Sequence, residues 1–276
     1  VDYTGETIEK FEIVGGNFDG NNDNQSIGRD CIHSHAQFNR ITNCNIDNIG
    51  RYCIYVYEVG IIDGVTITNS SNGITIVPER RDYYEQVSVT NCDIECEKIN
   101  VEVLQSSDNI NRYNSVLIEN NKLLTHSIEE SVSVVSCKYG LRYVNNTVYG
   151  GLNTLYKNGR GGIIVGNTFT EQVTSVLINN YSSLNVSDNH FNGGDNSIDA
   201  IVHSETSHTY NNVYTNNHFN NYSNSVGLFQ DENNELTFSG NTCQGSPLRV
   251  LNSCNYTISN NKFFGSLSGV QLEGST

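Results

Sequence analysis

The sequence predicts an all-β fold, a single-stranded right-handed parallel β-helix of about ten or eleven coils. One observation is a short asparagine-containing phrase that returns every 20 to 29 residues. A second is the segment before each phrase, where β-branched and polar residues alternate as they do in strands. A repeat of this length is typical of a solenoid, in which each unit buries its apolar side against its neighbours. The 276 residues are therefore expected to form one β-helix domain, and we expect the chain to be a piece of a longer protein.

The phrase consists of Asn or a near substitute, a second Asn or Cys, one variable residue and an apolar residue. Asn tolerates the left-handed backbone conformation, so the first position suits a tight bend between strands. Asn side chains stacked in successive coils can also hydrogen-bond along the stack. We expect three parallel sheets with the phrases stacked at one corner. The copies begin at Asn43, Asn69 (degraded), Asn91, Asn120, Asn145, Gly166, Asp188, Asn216, Gly240 and Asn260.

The strands that open successive coils can be aligned, and alternation then divides their side chains between an inner and an outer face. The inner stack contains Ile32, Ile54, Ile74, Val101, Val132 and Val176. One outward ladder reads His33, Tyr55, Thr75, Glu102 and Ser133. A second ladder beside it reads His35, Tyr57, Val77, Leu104 and Val135.

Two outward patches are candidate binding sites. Flat amphipathic rings next to hydrogen-bonding and titratable groups suit a sugar, although outward aromatic residues also pack under loops or at subunit contacts. The first patch joins His33, His35, Tyr55, Tyr57 and Glu102 to a charged loop that contains Glu79, Arg80, Arg81 and Asp82. The second patch consists of Tyr156 in a basic loop, Tyr181, His203, Glu205 and Asp231, with Phe229 and Arg249 beside them.

The net charge limits the classes of binding partner, and the positions of the cysteines bear on disulfides and metal sites. A formal net charge of −15 argues against nucleic acid and anionic membranes, and an anionic sugar polymer would need a cation or a basic patch to help it bind. No apolar run is long enough to span a membrane. Cys31 and Cys53 align one coil apart, so inward free thiols are favoured, with a bridge between aligned neighbours as the alternative. No Cys-x-x-Cys pair occurs, and we expect no metal site or cofactor, leaving open a structural or substrate-bridging calcium ion.

The stacked Asn turns and the opening Gly-Gly-Asn-Phe-Asp-Gly-Asn, from Gly15 to Asn21, resemble the pectin-lyase-like superfamily of right-handed β-helices. That group includes polygalacturonases, pectate lyases and bacteriophage tailspike depolymerases. Where polygalacturonases carry Asp-Asp-Cys-Ile, this chain reads Arg51-Tyr52-Cys53-Ile54, and their Gly-His-Gly and Arg-Ile-Lys motifs are absent. The paired carboxylates that an inverting glycosidase needs are therefore missing at that place.

The resemblance implies a polysaccharide-binding or polysaccharide-degrading β-helix, most like a tailspike domain, at an extracellular or virion surface. Hydrolysis would use carboxylates such as Glu79, Asp82 and Glu102. Elimination from a uronic acid would use His33, His35 or Tyr57 as base, with Arg80 or Arg81 neutralising the carboxylate. The alternative is a non-catalytic adhesin or structural shaft. Tailspike-like relatives are trimers, and a homotrimer is also suggested by apolar residues expected on the outer surface: Val77, Leu104, Val135, Ile201, Phe229 and Leu251.

Overall fold

The computed structural model is an all-β parallel solenoid, which confirms the predicted fold class, and it has about nine turns. It describes residues 8–21, 28–78, 86–104, 115–127, 133–137, 139–203, 210–229, 234–251, 255–265 and 268–274. Strands β1 to β29, numbered in chain order, make up the regular structure of these residues. None of the described residues belongs to a helix that could cross a membrane.

The strands form three faces, and each strand pairs in parallel with its equivalents one coil away. The first face contains β2 (Ile32–Ser34), β4 (Tyr52–Tyr57), β7 (Asn72–Val77), β10 (Val101–Val103), β13 (Ser133–Ser136), β20 (Asp199–His203), β23 (Gly227–Phe229), β26 (Leu248–Leu251) and β29 (Val270–Glu273). The second face contains β5 (Val59–Asp63), β8 (Gln86–Thr90), β11 (Ser115–Glu119), β14 (Tyr139–Val144), β21 (Val213–Thr215), β24 (Asn234–Ser239) and β27 (Asn255–Ser259). The third face contains β6 (Thr66–Ser70), β9 (Asp93–Cys96), β12 (Lys122–Thr125), β15 (Thr147–Tyr149), β17 (Thr168–Thr170), β19 (His190–Asn192), β22 (His218–Asn220), β25 (Thr242–Gln244) and β28 (Lys262–Phe264). Four long strands bend across a corner: β1 (Lys10–Asp19) and β3 (Phe38–Asp47) join the second face to the third, and β16 (Asn153–Val165) and β18 (Thr174–Ser187) join the first to the second.

The asparagine phrase forms the corner between the second and third faces, as predicted. Its first residue has a positive φ in every coil, which explains why Asn, Asp or Gly occupies it. One copy was misplaced: Asp63 pairs with both Thr42 and Thr90, so the equivalent of Asn43 is Gly64 and not Asn69. Asn69 lies within the third-face strand β6 and donates to Asp47 Oδ1 at 2.9 Å. The corner residues are Asn43, Gly64, Asn91, Asn120, Asn145, Gly166, Asp188, Asn216, Gly240 and Asn260, with φ between 54° and 69°.

The second residue of the phrase builds the predicted hydrogen-bonded stack, which we call the asparagine ladder. At Asn167, the backbone N–H and Nδ2 both donate to Asn189 Oδ1 at 2.9 Å, and Nδ2 also donates to the Tyr143 carbonyl at 2.9 Å. Its own Oδ1 accepts the corresponding two bonds from Asn146. Each interior member thus satisfies its polar atoms within a buried site. The ladder consists of Asn121, Asn146, Asn167, Asn189, Asn217, Asn241 and Asn261.

The last residue of the phrase points into the core, where apolar side chains stack along the axis. Phe169, Phe191 and Phe219 lie nearly parallel, with successive ring centroids 5.0 and 4.8 Å apart. Ile74 and Val176, the inner-face positions of the first-face strands, are fully buried as predicted. Burial removes this apolar surface from water and is the main stabilising contribution to the rod.

The predicted register of the first face is wrong by one residue after β10. Val101 pairs with Ser133 and Val103 with Val135, so Val135 faces the core and is fully buried. Val132 and its placement lie outside the described residues. A shift of one residue moves every side chain of a strand to the opposite face.

A second shift occurs between β18 and β20, where Val176 pairs with Ile201 instead of Ala200. Ile201 and Phe229, expected on the outer surface, are therefore fully buried. The outer surface is less apolar than expected, and the homotrimer stays a prediction.

The cysteines follow the favoured expectation of free thiols. Seven of the eight lie within the described residues, and all seven are unbridged. Burial raises the pKa of the Cys53 and Cys92 thiols to about 12. Such thiols are protonated at neutral pH and behave as small apolar side chains.

Candidate functional site

The described part of the first patch is a two-by-two cluster of rings on the outer side of the first face. His33 on β2 pairs with Tyr55 on β4, and their ring centroids lie 5.1 Å apart in a stacked arrangement. His35 stacks on Tyr57 more closely, with centroids 4.0 Å apart and an interplanar angle of 12°. The prediction that these four side chains converge is confirmed. Because the partners come from neighbouring coils, the rings stack along the rod.

The two histidines also contact each other and a carboxylate. His33 Nε2 lies 3.3 Å from His35 Nε2, and His33 Nδ1 lies 2.9 Å from Asp30 Oδ2. Arg51 completes this edge, with its Nε 3.6 Å from Asp30 Oδ1 and its guanidinium 5.3 Å from the centre of the Tyr52 ring. The sequence interpretation did not assign Asp30, Arg51 and Tyr52 to the site. The signal for Asp30 was its position three residues before His33, just ahead of β2.

Glu102 lies on the same ladder, one coil beyond Thr75 and two beyond Tyr55. Thr75 Oγ1 donates to Glu102 Oε2 at 3.2 Å. Burial raises the pKa of the Glu102 carboxyl above its ordinary value, although the Thr75 bond opposes the shift. Burial also raises the pKa of the Tyr55 phenol, with a smaller contribution from Tyr57. The outward row of His33, Tyr55 and Thr75 therefore leads to a carboxyl group, that of Glu102, which keeps its proton to a higher pH than an exposed glutamate does.

The rest of the predicted site falls outside the described residues. This applies to Glu79, Arg80, Arg81 and Asp82 of the charged loop and to Glu205 and Asp231 of the second patch. Their proposed contributions stay predictions.

The described rings of the second patch do not face outward, so the prediction is wrong for them. Tyr156, Tyr181 and His203 are all fully buried. Tyr156 also lies within the continuous strand β16 and not in a loop. The Tyr181 hydroxyl donates to the Gly161 carbonyl at 3.1 Å, and its ring fills the space beside Gly159, where a Cβ would approach Tyr181 Cε2 to 2.1 Å. His203 Nε2 hydrogen-bonds to the Tyr214 hydroxyl inside the core.

One concave region lies beside the first patch, and another lies on the third face. The sequence interpretation identified neither of them. A cavity of about 460 Å³ includes Arg29 and Asp30, so it begins at the edge of the first patch. A more polar cavity of about 530 Å³ lies farther along the rod. The second cavity is lined by Asp47, Asn48, Asn69, Ser70, Glu95, Cys96, Glu97 and His126.

No family model, no curated protein and no solved structure matches the chain. Across the part of the chain that the structure describes, no group of three or more His, Cys, Asp or Glu side chains is placed to hold a metal ion. The fold defines the protein as a parallel β-solenoid, and this architecture is consistent with a pectin-lyase-like β-helix.

Proposed function

We propose that the protein binds a polysaccharide along the outer side of its first face, as a tailspike-like β-helix at an extracellular or virion surface. The observation that carries the proposal is the ring cluster of His33, His35, Tyr55 and Tyr57, continued along the rod by Glu102. Half-buried rings with polar edges are the side chains that sugar sites use.

The arrangement of the rings favours a polymer over a single sugar. The rings of each stack come from neighbouring coils, and each ring presents to a sugar only the surface that its stacking partner leaves uncovered. The rings recur at the spacing of neighbouring coils, about 4.8 Å. An extended chain lying parallel to the rod would pass the rings of two neighbouring coils and then Glu102, so more than one sugar residue of a polymer would contact the site.

Charge favours a neutral or weakly charged glycan. The chain carries a formal net charge of −15, and Glu102 and Asp30 both lie at the cluster. Among the described residues, Arg51 contacts this edge of the site, and its charge is directed to Asp30. A polyanionic glycan would therefore need an additional cation to offset repulsion.

The same site contains groups suited to cleavage. A carboxyl group with a raised pKa, as at Glu102, is the kind of group that donates a proton to a leaving oxygen. Hydrolysis needs a second carboxylate, for which Glu79 and Asp82 are the candidates, and elimination needs a base, for which His33, His35 and Tyr57 are the candidates. Polysaccharide binding is the primary proposal, and cleavage is its catalytic extension.

Binding is tested with a panel of bacterial surface polysaccharides and plant pectins, using affinity electrophoresis followed by calorimetry on any glycan that binds. Tyr57→Ala is expected to weaken binding at least tenfold, because it removes one phenol and the stacking support of His35. Tyr139→Ala is the matched control, since Tyr139 is 51% exposed but lies on the second face. Equal affinities for wild type, Tyr57→Ala and Tyr139→Ala would contradict the proposal, as would the absence of any bound glycan.

Turnover is read in the same experiment from new reducing ends and from the absorbance of an unsaturated uronate. Glu102→Gln keeps the shape and the acceptor for Thr75 but loses the transferable proton. Loss of turnover with retained binding would support Glu102 as the general acid. Binding without turnover in the wild type would favour a non-catalytic adhesin or shaft.

A further inference from the structure

We propose that His33 and His35 form a binding site for a divalent transition-metal ion of the Zn²⁺ class, with Asp30 as the residue that orients His33. The site is defined by three side chains at the start of the first face, and it does not depend on the proposed polysaccharide.

The first argument is the distance between the two nitrogens. His33 and His35 are two residues apart on an extended segment, so both imidazoles project outward, and their Nε2 atoms lie 3.3 Å apart. With metal–nitrogen bonds of about 2.0–2.1 Å, two ligands of a tetrahedral ion lie roughly 3.4 Å apart. The two side chains therefore have nearly the separation that a shared ion requires.

The second argument is the carboxylate behind His33. Asp30 Oδ2 lies 2.9 Å from His33 Nδ1, and an ionised carboxylate can only accept a hydrogen bond. The proton of a neutral His33 is thus held on Nδ1, and its Nε2 lone pair accepts a hydrogen bond from His35 Nε2. An ion would take the place of that shared proton, with the proton of His35 moving to Nδ1. A carboxylate bonded to the far nitrogen of a ligating histidine is the usual partner in zinc sites. Arg51 lies 3.6 Å from the other oxygen of Asp30 and restrains it.

The third argument is that both rings are held in place before an ion binds. His35 stacks on Tyr57 at 4.0 Å, and His33 stacks on Tyr55 at 5.1 Å. Ordering these side chains therefore costs little additional conformational entropy on binding.

The chemistry of the ligands selects the class of ion. Imidazole nitrogens suit Zn²⁺, Ni²⁺ and Cu²⁺, whereas Ca²⁺ and Mg²⁺ prefer oxygen ligands. Two protein nitrogens leave the remaining coordination positions to water or to an oxygen-bearing ligand. The negative charge of the chain attracts cations to the surface in general. The site is thus expected to be open and exchangeable, in contrast to a closed structural zinc site.

The experiment is a Zn²⁺ titration of the full-length chain labelled with ¹⁵N-histidine. Calorimetry is expected to give one ion per chain, and NMR is expected to show two imidazole Nε2 resonances shifting together among the seven histidines. His35→Ala should lower the affinity at least tenfold and abolish the shift of His33. Asp30→Asn should lower the affinity by roughly 10- to 100-fold while both ligands are still present.

Two control variants separate this site from other metal-binding groups. His218→Ala removes one member of a second histidine pair, His190 and His218, whose ring centroids lie 5.8 Å apart on the third face, and it should leave the affinity unchanged. Cys31→Ser removes a half-buried thiol and should also have no effect. The proposal is overturned if Zn²⁺ does not bind at millimolar concentration, if His35→Ala binds like wild type, or if binding shifts no histidine Nε2. Glycan binding is measured on protein treated with a chelator, so that a failure of the polysaccharide proposal can be told apart from a failure of the metal-site proposal.

Discussion

The coils before Asn120 and those after it use the same corner but fill it differently. In both regions the first residue of the phrase has a positive φ and turns the chain from the second face to the third. In the early coils the second residue is Cys44, Val65 or Cys92, and each is buried without a side-chain ladder. In the later coils that residue is always Asn, from Asn121 to Asn261, and the side chains form the asparagine ladder.

The core changes two coils later, because Leu123 and Val148 still occupy the last position of the phrase in the first two coils of the asparagine ladder. Ile46, Ile67 and Ile94 occupy the last position of the phrase in the early coils, whereas Phe169, Phe191 and Phe219 occupy it later. The apolar side chains at the early corners need no hydrogen-bond partners, so one of them can be replaced without affecting the neighbouring coils. The ladder satisfies its buried amides only by repetition, so each Asn depends on the coils before and after it. The comparison therefore predicts different sensitivities to mutation in the two regions.

The largest expected effect is common to both regions and tests the shared apolar interior. Ile74→Asp and Val176→Asp each place a carboxylate at a fully buried position, one in the early and one in the later coils. Each should lower the free energy of unfolding by more than about 4 kcal/mol and leave little folded protein. Circular dichroism and the yield of soluble protein measure this. Normal folding of either variant would refute the inner-face assignment for its region.

The second effect separates the two regions. Asn167→Val removes bonds to Asn146, Asn189 and the Tyr143 carbonyl and leaves buried polar atoms unpaired, so it should cost roughly 3 kcal/mol or more. Cys92→Val exchanges one small apolar side chain for another and keeps the backbone bond from Cys92 N to Asn121 Oδ1, so it should cost less than about 1.5 kcal/mol. Urea unfolding of both variants gives the difference. Equal losses would mean that the ladder contributes no more than an apolar stack does.

The corner was predictable from the sequence because its requirement is local. A positive φ favours Asn, Asp or Gly, and this preference is visible as a repeated phrase. The misplacement of the second copy at Asn69 has a physical cause: Gly64 meets the same backbone requirement but carries no side chain that resembles the phrase.

The outward or inward direction of the opening strands was less predictable. The segments around Val134-Val135 and Ala200-Ile201-Val202 contain apolar residues at both parities, so alternation does not fix their register. The early strands β2, β4 and β10 alternate clearly, and the outward placement of His33, Tyr55 and Glu102 was predicted correctly. In the later coils the rings of Tyr181, His203 and Phe229 fill the core, so their predicted position on the outer surface was wrong. The contribution of Asp30 depends on a side-chain contact that no periodic pattern encodes.

A smaller effect tests what the two regions have in common at the corner. Asn43 and Asn145 have φ of 55° and 54°, and both side chains are exposed. Replacement of either residue by Ala should cost about 1–2 kcal/mol because Ala disfavours the left-handed conformation. Replacement of either by Gly should be nearly neutral, since Gly adopts that conformation without steric cost. Thermal unfolding compares the Ala and Gly variants at each position. An equal loss of stability for both would show that hydrogen bonding by the side chain, and not the backbone conformation, selects Asn there.

The smallest expected effect is a pH dependence that arises on the outer side of the early coils, because the asparagine ladder contains no titratable group. Burial raises the pKa of the Glu102 carboxyl above its ordinary value, so the folded state favours the protonated form. The stabilisation is fully present below the unfolded-state pKa and is lost as the pH rises through the higher folded-state pKa. Glu102→Gln keeps the acceptor for Thr75 and removes the titration, so it should match wild type in acid and become the more stable protein near neutral pH. Melting curves of both proteins from pH 4 to pH 8 measure the divergence. If the two curves stay parallel over this range, the Glu102 carboxyl is not destabilised by burial, and its proposed role as a proton donor loses its physical basis.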